Sequence, residues 1–320
     1  MGCSMTPDQR AARVRYGVTQ PGDIWHLRGQ GQHEVLCADN GDAALIQHWF
    51  RCGQSDLLVT SPPYAQQRDY HSKIASWTTM MQRMMLAAPM RDAAQVLVNL
   101  GLVHVEGEVM DYWRDWLLWL SCRGWKRFGQ YVWDQGPGMM GNWGGRLAPS
   151  FEFVFHLNKA SRLPNKIIAK KPASIKIKRL KDGSPAAGMR GKDGITKRLA
   201  NPEACLQPTK IPDSVIRVNR HMGRGIECEH PAVMALGLVS LLIEAYSDPG
   251  DVVYEPFGGA GTTLLAAEQA GRRAMTVELS PRYVDLIVQR FVAEIPGAAT
   301  YLDRTGETWA QAADRLPETV

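Results

Sequence analysis

Short apolar runs alternate with helical patterns along most of the chain. Glu34-Val35-Leu36-Cys37-Ala38, Asp56-Leu57-Leu58-Val59 and Gln95-Val96-Leu97-Val98-Asn99-Leu100 are apolar segments of strand length, as expected of strands buried on both faces. Between the second and third, residues 74–88 carry Met and Leu at helical spacing. This is the strand, helix, strand rhythm of a parallel sheet. A Trp-rich helix is predicted over residues 107–122, then strands over residues 129–133 and 151–156. The segment joining those two strands, Gln135 to Gly145, is dense in glycine and reads either as a mobile loop over a site or as an irregular surface connection.

The same rhythm returns after Pro212. A helix is predicted over residues 231–246, a strand over 251–254, a helix from Thr262 and a strand over 273–277. A final helix opens with Ser280 as N-cap and Pro281 at its first position and runs to about residue 293. Residues 1–30 are polar and poorly periodic and are expected to form a surface arm, and residues 296–320 a tail. Residues 31–158 and 220–295 thus read as two halves of one α/β domain, interrupted by residues 159–219. There is no internal repeat.

The interruption is where composition changes the picture. The net charge of +5 over 320 residues is unremarkable, but residues 159–198 hold thirteen lysines and arginines against two aspartates. Ile175-Lys176-Ile177-Lys178 alternates as a strand would, predicting a β element that presents lysines on one face; a solvated basic insert is the alternative reading. No apolar run reaches spanning length, and the N-terminus lacks the apolar core of a signal peptide, so an intracellular, cytoplasmic location is expected. The six cysteines form no C-x-x-C pair, which argues against a zinc ribbon or a disulfide framework and for reduced thiols, mostly packing groups, and no metal site is expected.

Two segments carry candidate chemistry. Glu255-Pro256-Phe257-Gly258-Gly259-Ala260-Gly261-Thr262-Thr263 leaves a strand and opens a helix, putting a glycine turn where backbone approaches a ligand closely. Glu278 ends the next strand, where an acid commonly holds the ribose hydroxyls of an adenosine cofactor. Leu264 occupies the third glycine position of a dinucleotide fingerprint, and no lysine follows the turn as a phosphate-binding loop requires. The second segment, Ser61-Pro62-Pro63-Tyr64, follows a buried strand; its two prolines fix the backbone and leave neighbouring carbonyls without local partners.

Together these segments resemble the S-adenosylmethionine (SAM)-dependent amino-methyltransferases of DNA, whose motifs are D-P-F-x-G-x-G-T-T and (D/N/S)-P-P-(Y/F/W). The resemblance covers residues 34–290, in the β-class order of catalytic motif, basic insert, cofactor motif. It implies a Rossmann-like methyltransferase sheet with an inserted target-recognition region, a catalytic half over residues 31–158 and a SAM-binding half over 220–295. Pro256, Phe257, Gly258, Gly259, Gly261, Thr262, Thr263 and Glu278 would hold SAM, with Glu255, a departure from the family's aspartate, near the methionine amino group. His230-Pro231, at the start of the preceding helix, would line the other side of the methionine moiety, or is a plain helix start; Asp39 matches an acidic position near the cofactor, or is a helix N-cap. Glu152 resembles an acid found before the recognition region and is given no chemistry.

An exocyclic amine is a poor nucleophile until its hydrogens are held and its lone pair aimed. The resemblance gives that task to Ser61 Oγ and the Pro62 carbonyl, with Pro63 fixing the turn and Tyr64 stacking on a base flipped from the duplex. In the insert, Lys170, Lys171, Lys176, Lys178 and Arg179 would supply phosphate contacts. The expected substrate is double-stranded DNA, with adenine N6 placed ahead of cytosine N4. Carbon-5 chemistry is excluded because no cysteine follows a proline. The family resemblance further implies restriction-modification, a homodimer, and either a partner endonuclease or none. An RNA methyltransferase, a glycine-turn dehydrogenase and a catalytically silent DNA-binding module are the rival readings.

Overall fold

Alternation of apolar and polar positions begins earlier than the predicted core. A computed structural model describes residues 14–51, 53–64, 77–138, 140–141, 143–177, 179, 181, 183, 188–190, 192–198, 202–220 and 225–316. In it Ile24–Arg28 (β1) turns Trp25 and Leu27 fully inward and pairs antiparallel with Gln32–Cys37 (β2). The expected surface arm is therefore a sheet strand from Ile24 on, and the segment before it is pinned. Asp285 is fully buried and accepts the amides of Gly17, Val18 and Thr19 at 2.7, 3.2 and 3.0 Å.

The remaining elements follow in chain order: Ala43–Trp49 (α1), Ser55–Thr60 (β3), Trp77–Ala87 (α2), Met90–Leu100 (β4), Val103–Val105 (β5), Glu108–Met110 (β6), Arg114–Ser121 (α3), Lys126–Asp134 (β7) and Phe151–Asn158 (β8). The Trp-rich helix starts only at Arg114, because β5 and β6 form a hairpin over the positive-φ pair Glu106-Gly107. After the insert come Val215–Arg217 (β13), Leu236–Tyr246 (α4), Val252–Glu255 (β14), Thr262–Gln269 (α5), Arg273–Glu278 (β15), Pro281–Glu294 (α6), Ala299–Leu302 (β16) and Trp309–Ala313 (α7). The expected tail thus returns to the sheet. β16 pairs with β1, Thr308 and Gln311 cap α7 reciprocally, and Trp309 packs on Trp25 with ring centroids 5.7 Å apart.

Ten strands form one sheet in the order β13-β7-β8-β4-β3-β14-β15-β2-β1-β16. Its centre, β4-β3-β14-β15-β2, is parallel, while β8 and β1 run antiparallel to their neighbours. Val96, Leu97, Val98, Leu57, Leu58, Val253 and Val277 are all buried to within 1% of exposure, which is why those segments are apolar on both faces. The mixed α/β architecture with a largely parallel central sheet is the fold class the resemblance implied.

Met1–Leu163 with Ser214–Val320 form one compact unit and Pro164–Asp213 a second, narrower than the 159–219 interruption drawn from composition. Within the second, Ile168–Ala169 (β9) pairs with Thr209–Lys210 (β12), and Gly188–Arg190 (β10) with Thr196–Arg198 (β11). The strand expected at Ile175 to Lys178 does not form over its described residues. Pro172–Ser174 is a 3-10 turn, and residues 175–177 have no ladder partner; Lys178 lies outside the described residues. No helix among the described residues is long and apolar enough to cross a membrane.

Candidate active site

In an open parallel sheet the loops leaving the carboxyl ends of the strands converge on one edge, where the crossovers part and a crevice opens. Here that edge carries a cleft of about 740 Å³. Its wall can be followed strand by strand across the sheet. Asp39 and Asn40 follow β2, Glu278 ends β15, residues 256–260 follow β14, Ser61 to Tyr64 follow β3, and Asn99 lies near the end of β4. Glu152 is near the start of antiparallel β8, Trp133 and Gln135 are at the end of β7, and Arg220 lies just past β13.

The β14, β15 and β2 section is built largely from backbone. Gly259 has φ +53°, and a Cβ there would press on the His230 ring at 3.3 Å. At Gly258 a Cβ would lie 2.7 Å from Thr276 Cγ2 and 3.0 Å from Ile287 Cδ1. The turn is held from outside: Glu278 Oε2 accepts the Gly259 amide at 2.8 Å, and Asn40 Nδ2 donates to the Pro256 carbonyl at 2.6 Å. Glu278 Oε1 also accepts the Ser280 amide at 2.9 Å, and burial raises its pKa above the ordinary carboxylate range. The Leu279 amide bonds the same carboxylate, which leaves one of its four acceptor positions open. A glycine cradle that a methyl group would obstruct, beside a carboxylate with spare acceptor capacity, fits the nucleoside part of SAM.

His230 and Pro231 line the same section, His230 edge-on to Tyr283 with centroids 4.5 Å apart. They do not start a helix, since Ile226–Glu229 is a 3-10 turn and α4 begins at Leu236. Asp39 lines the cleft and pairs with Arg83 at 2.9 Å, while the N-cap of α1 is Asp42. Ser280 sits at the N-cap of α6 without a side-chain capping bond.

Two assigned residues lie behind the wall. Gly261 is the left-handed N-cap of α5, and Glu255 is 1% exposed. Glu255 Oε1 accepts from Thr60 Oγ1 at 2.5 Å and the Phe257 amide at 3.0 Å, and Oε2 faces Thr263 Oγ1 at 2.7 Å. Its carboxyl ties the last residue of β3 to the first turn of α5. Burial pushes its pKa up to about 8, against the opposing effect of those hydrogen bonds.

The β3, β4 and β8 section is built from side chains. Trp77 Nε1 donates to the Pro63 carbonyl at 2.9 Å, while the Pro62 carbonyl has no partner among the described residues. Ser61 Oγ lies 3.3 Å from Tyr64 OH. The tyrosine donates to Glu152 Oε2 at 2.7 Å, and Asn99 Nδ2 donates to both the tyrosine oxygen and that carboxylate oxygen, at 2.9 and 2.5 Å. Burial first, and then the Glu152 charge, raise the Tyr64 pKa well above its usual value, so the phenol keeps its proton. Asn99 and the role of Glu152 escaped the sequence reading, because each looks like one more residue in an apolar strand; only the β4·β8 pairing brings them to Tyr64.

The basic residues assigned to DNA fall within the Pro164–Asp213 unit, with Lys178 outside the described residues. Lys171, Lys176 and Arg179 are exposed, and Lys170 leans on the carbonyls of Ala204 and Cys205 at 3.4 and 3.3 Å. Of the cysteines, Cys37 is buried, its pKa pushed up to about 12 by burial, whereas Cys122 is exposed.

Comparison with known proteins bears on this arrangement. The DNA methylase family covering N6 and N4 modification matches residues 55–289, a span holding both motifs and the insert. The type II methyltransferase M.ScaI of Streptomyces caespitosus is 26% identical over 246 residues, covering 75% of this chain and 75% of that protein. M.XycI of Xanthomonas campestris pv. cyanopsidis, also a type II methyltransferase, is 26% identical over 290 residues, covering 78% and 85%. The structure of PvuII DNA methyltransferase, described as cytosine-N4-specific, shares the fold with a TM-score of 0.53 at 17% identity, over 81% of this chain and 86% of that one.

Proposed function

The chain belongs to the N6/N4 DNA methylase family and is as such an S-adenosylmethionine-dependent DNA methyltransferase, and we propose that its cleft methylates the exocyclic amino group of a base extruded from duplex DNA. The observation that carries this reading is the juxtaposition on one sheet edge of the glycine cradle at Gly258-Gly259 and the acceptor pair at Ser61 and Pro62. When bound, SAM supplies a methyl group on a sulfonium centre. The chain's own residues do the rest.

Ser61 Oγ and the free Pro62 carbonyl accept the two amino hydrogens, which turns the nitrogen lone pair away from the ring and towards the cofactor section. Tyr64 stacks on the base, offsetting part of the stacking lost on extrusion. Glu152 and Asn99 hold the tyrosine's hydroxyl and so fix its ring. Glu278 and the cradle hold the adenosine, His230 and Pro231 border the methionine moiety, and Asp39 borders the same section from β2. Lys170, Lys171, Lys176, Lys178 and Arg179 serve the DNA backbone from their own unit.

Cytosine N4 is the second reading for the target, against adenine N6. It is favoured by Ser61 in place of an acid at the head of the tetrapeptide and by the specificity named for the PvuII enzyme. Incubation with methyl-tritiated SAM and duplex DNA, RNA or free nucleosides tests the function. Label entering duplex DNA in alkali-stable amino-methylated bases is expected; label confined to RNA would contradict the proposal.

A further inference from the structure

One section of the cleft has no part in the reaction described so far. Beyond Glu152 the wall continues over β7 and β13, where Trp133, Gln135 and Arg220 line it. These residues are held in place. Trp133 Nε1 donates to the Val218 carbonyl at 2.7 Å, the Arg220 amide donates to the Gln135 carbonyl at 3.2 Å, and Arg220 Nη2 donates to the Pro137 carbonyl at 2.9 Å. A guanidinium carries five N–H donors, and no carboxylate pairs with this one among the described residues.

Arg220 is also the one lysine or arginine among the described residues that line the cleft. The acids on the same wall are already engaged: Asp39 by Arg83, Glu278 by the amides of Gly259, Leu279 and Ser280, and Glu152 by Tyr64 and Asn99. An unpaired cation therefore stands at the end of the cleft opposite the glycine cradle. Between β3 and β13 the sheet order crosses β4, β8 and β7, which at about 4.8 Å per strand spacing is roughly 19 Å. The cradle lies one strand further away still. That distance separates Arg220 from the cofactor and puts it on the far side of the extruded base.

Resting on the methyltransferase reading, we propose that Arg220 binds a phosphodiester of the strand that carries the extruded nucleotide. Its planar fork matches two phosphate oxygens, and its bond to Pro137 leaves the other edge of the guanidinium to the ligand. The backbone of the nucleotide is then held at one end of the cleft while Ser61 and Tyr64 hold its base in the middle.

Single neutral methylphosphonate linkages, placed in turn on either side of the target nucleotide, test this against the full chain. In the wild type one linkage is expected to raise the KM for DNA about tenfold or more. Arg220→Ala should raise the KM for unmodified DNA similarly and make the enzyme indifferent to that linkage. It should also lower the slope of log affinity against log salt by about one. Arg220→Lys should recover only part of the loss, and SAM affinity should not move. Full sensitivity to every linkage in Arg220→Ala, or weakened SAM binding with unchanged DNA binding, would overturn the assignment while leaving the methyltransferase reading intact. Failure of the wild type to methylate DNA would sink both.

Discussion

The two ends of the cleft are made of different materials. The section proposed to hold the cofactor is a contiguous turn whose shape is set by backbone: two glycines that admit no side chain, and a carboxylate and an asparagine bracing them from the next strands. The section proposed to hold the base is a cluster of side chains drawn from β3, β4 and β8, residues far apart in sequence that meet only because the strands pair. A site made from one turn tolerates almost no substitution at the turn. One made from dispersed side chains divides its function among them.

The largest effects should fall where the chemistry is concentrated. Ser61→Ala and Tyr64→Ala are each expected to lower kcat about 100-fold while leaving the Kd for SAM unchanged, since an acceptor and a stacking surface each contribute at the reacting base. Single-turnover rates beside equilibrium SAM binding check this, and full turnover in both variants would remove the proposed centre. Gly259→Ala should invert the pattern, weakening SAM about tenfold through the cost of a left-handed backbone and the contact with His230, with DNA affinity retained. If DNA binding fell instead, the two sections would not be separate.

Smaller effects sharpen the contrast. Glu152→Gln, which keeps the shape but removes the charge that Tyr64 and Asn99 address, is expected to cost about fivefold in kcat with SAM affinity unaltered. Tyr64→Phe should lose the same factor, and the double variant no more than either alone.

Glu255 joins the two sections and gives a pH signature. Its folded pKa is raised to about 8, so the folded state prefers the protonated form. The stability it contributes is complete below the ordinary carboxylate pKa and declines as pH rises through about 8. Thermal unfolding of the wild type should therefore fall across that window more steeply than that of Glu255→Gln, whose amide cannot ionise. Parallel curves would mean that the carboxyl is ionised in the fold.

The same contrast explains what could be read before the fold was seen. The sheet strands at Asp56 to Val59 and Gln95 to Leu100 were legible because burial on both faces leaves an unbroken apolar run. The glycine turn and Ser61 to Tyr64 were legible because a local backbone demand leaves a local trace. Asn99, Trp133 and Arg220 left none, and Glu152 only a family position without a role, since their meeting depends on the antiparallel insertion of β8 and the parallel addition of β13 at the sheet edge. At the other edge, β1 and β16 were missed as arm and tail: each is short, with only two inward apolar or small side chains to mark it. Glu255 reaches Thr60 and Thr263 behind the wall, a direction that no local sequence pattern records.

The proposal places an amine-holding pair at Ser61 and Pro62 and a cofactor cradle in one cleft. Mass spectrometry of nucleosides from DNA of cells expressing the chain, beside cells expressing Ser61→Ala, tests it most directly. N4-methylcytosine or N6-methyladenine is expected with the wild type, and its near absence with the variant. Methylation at carbon 5, or equal amino-methylation by both proteins, would contradict it.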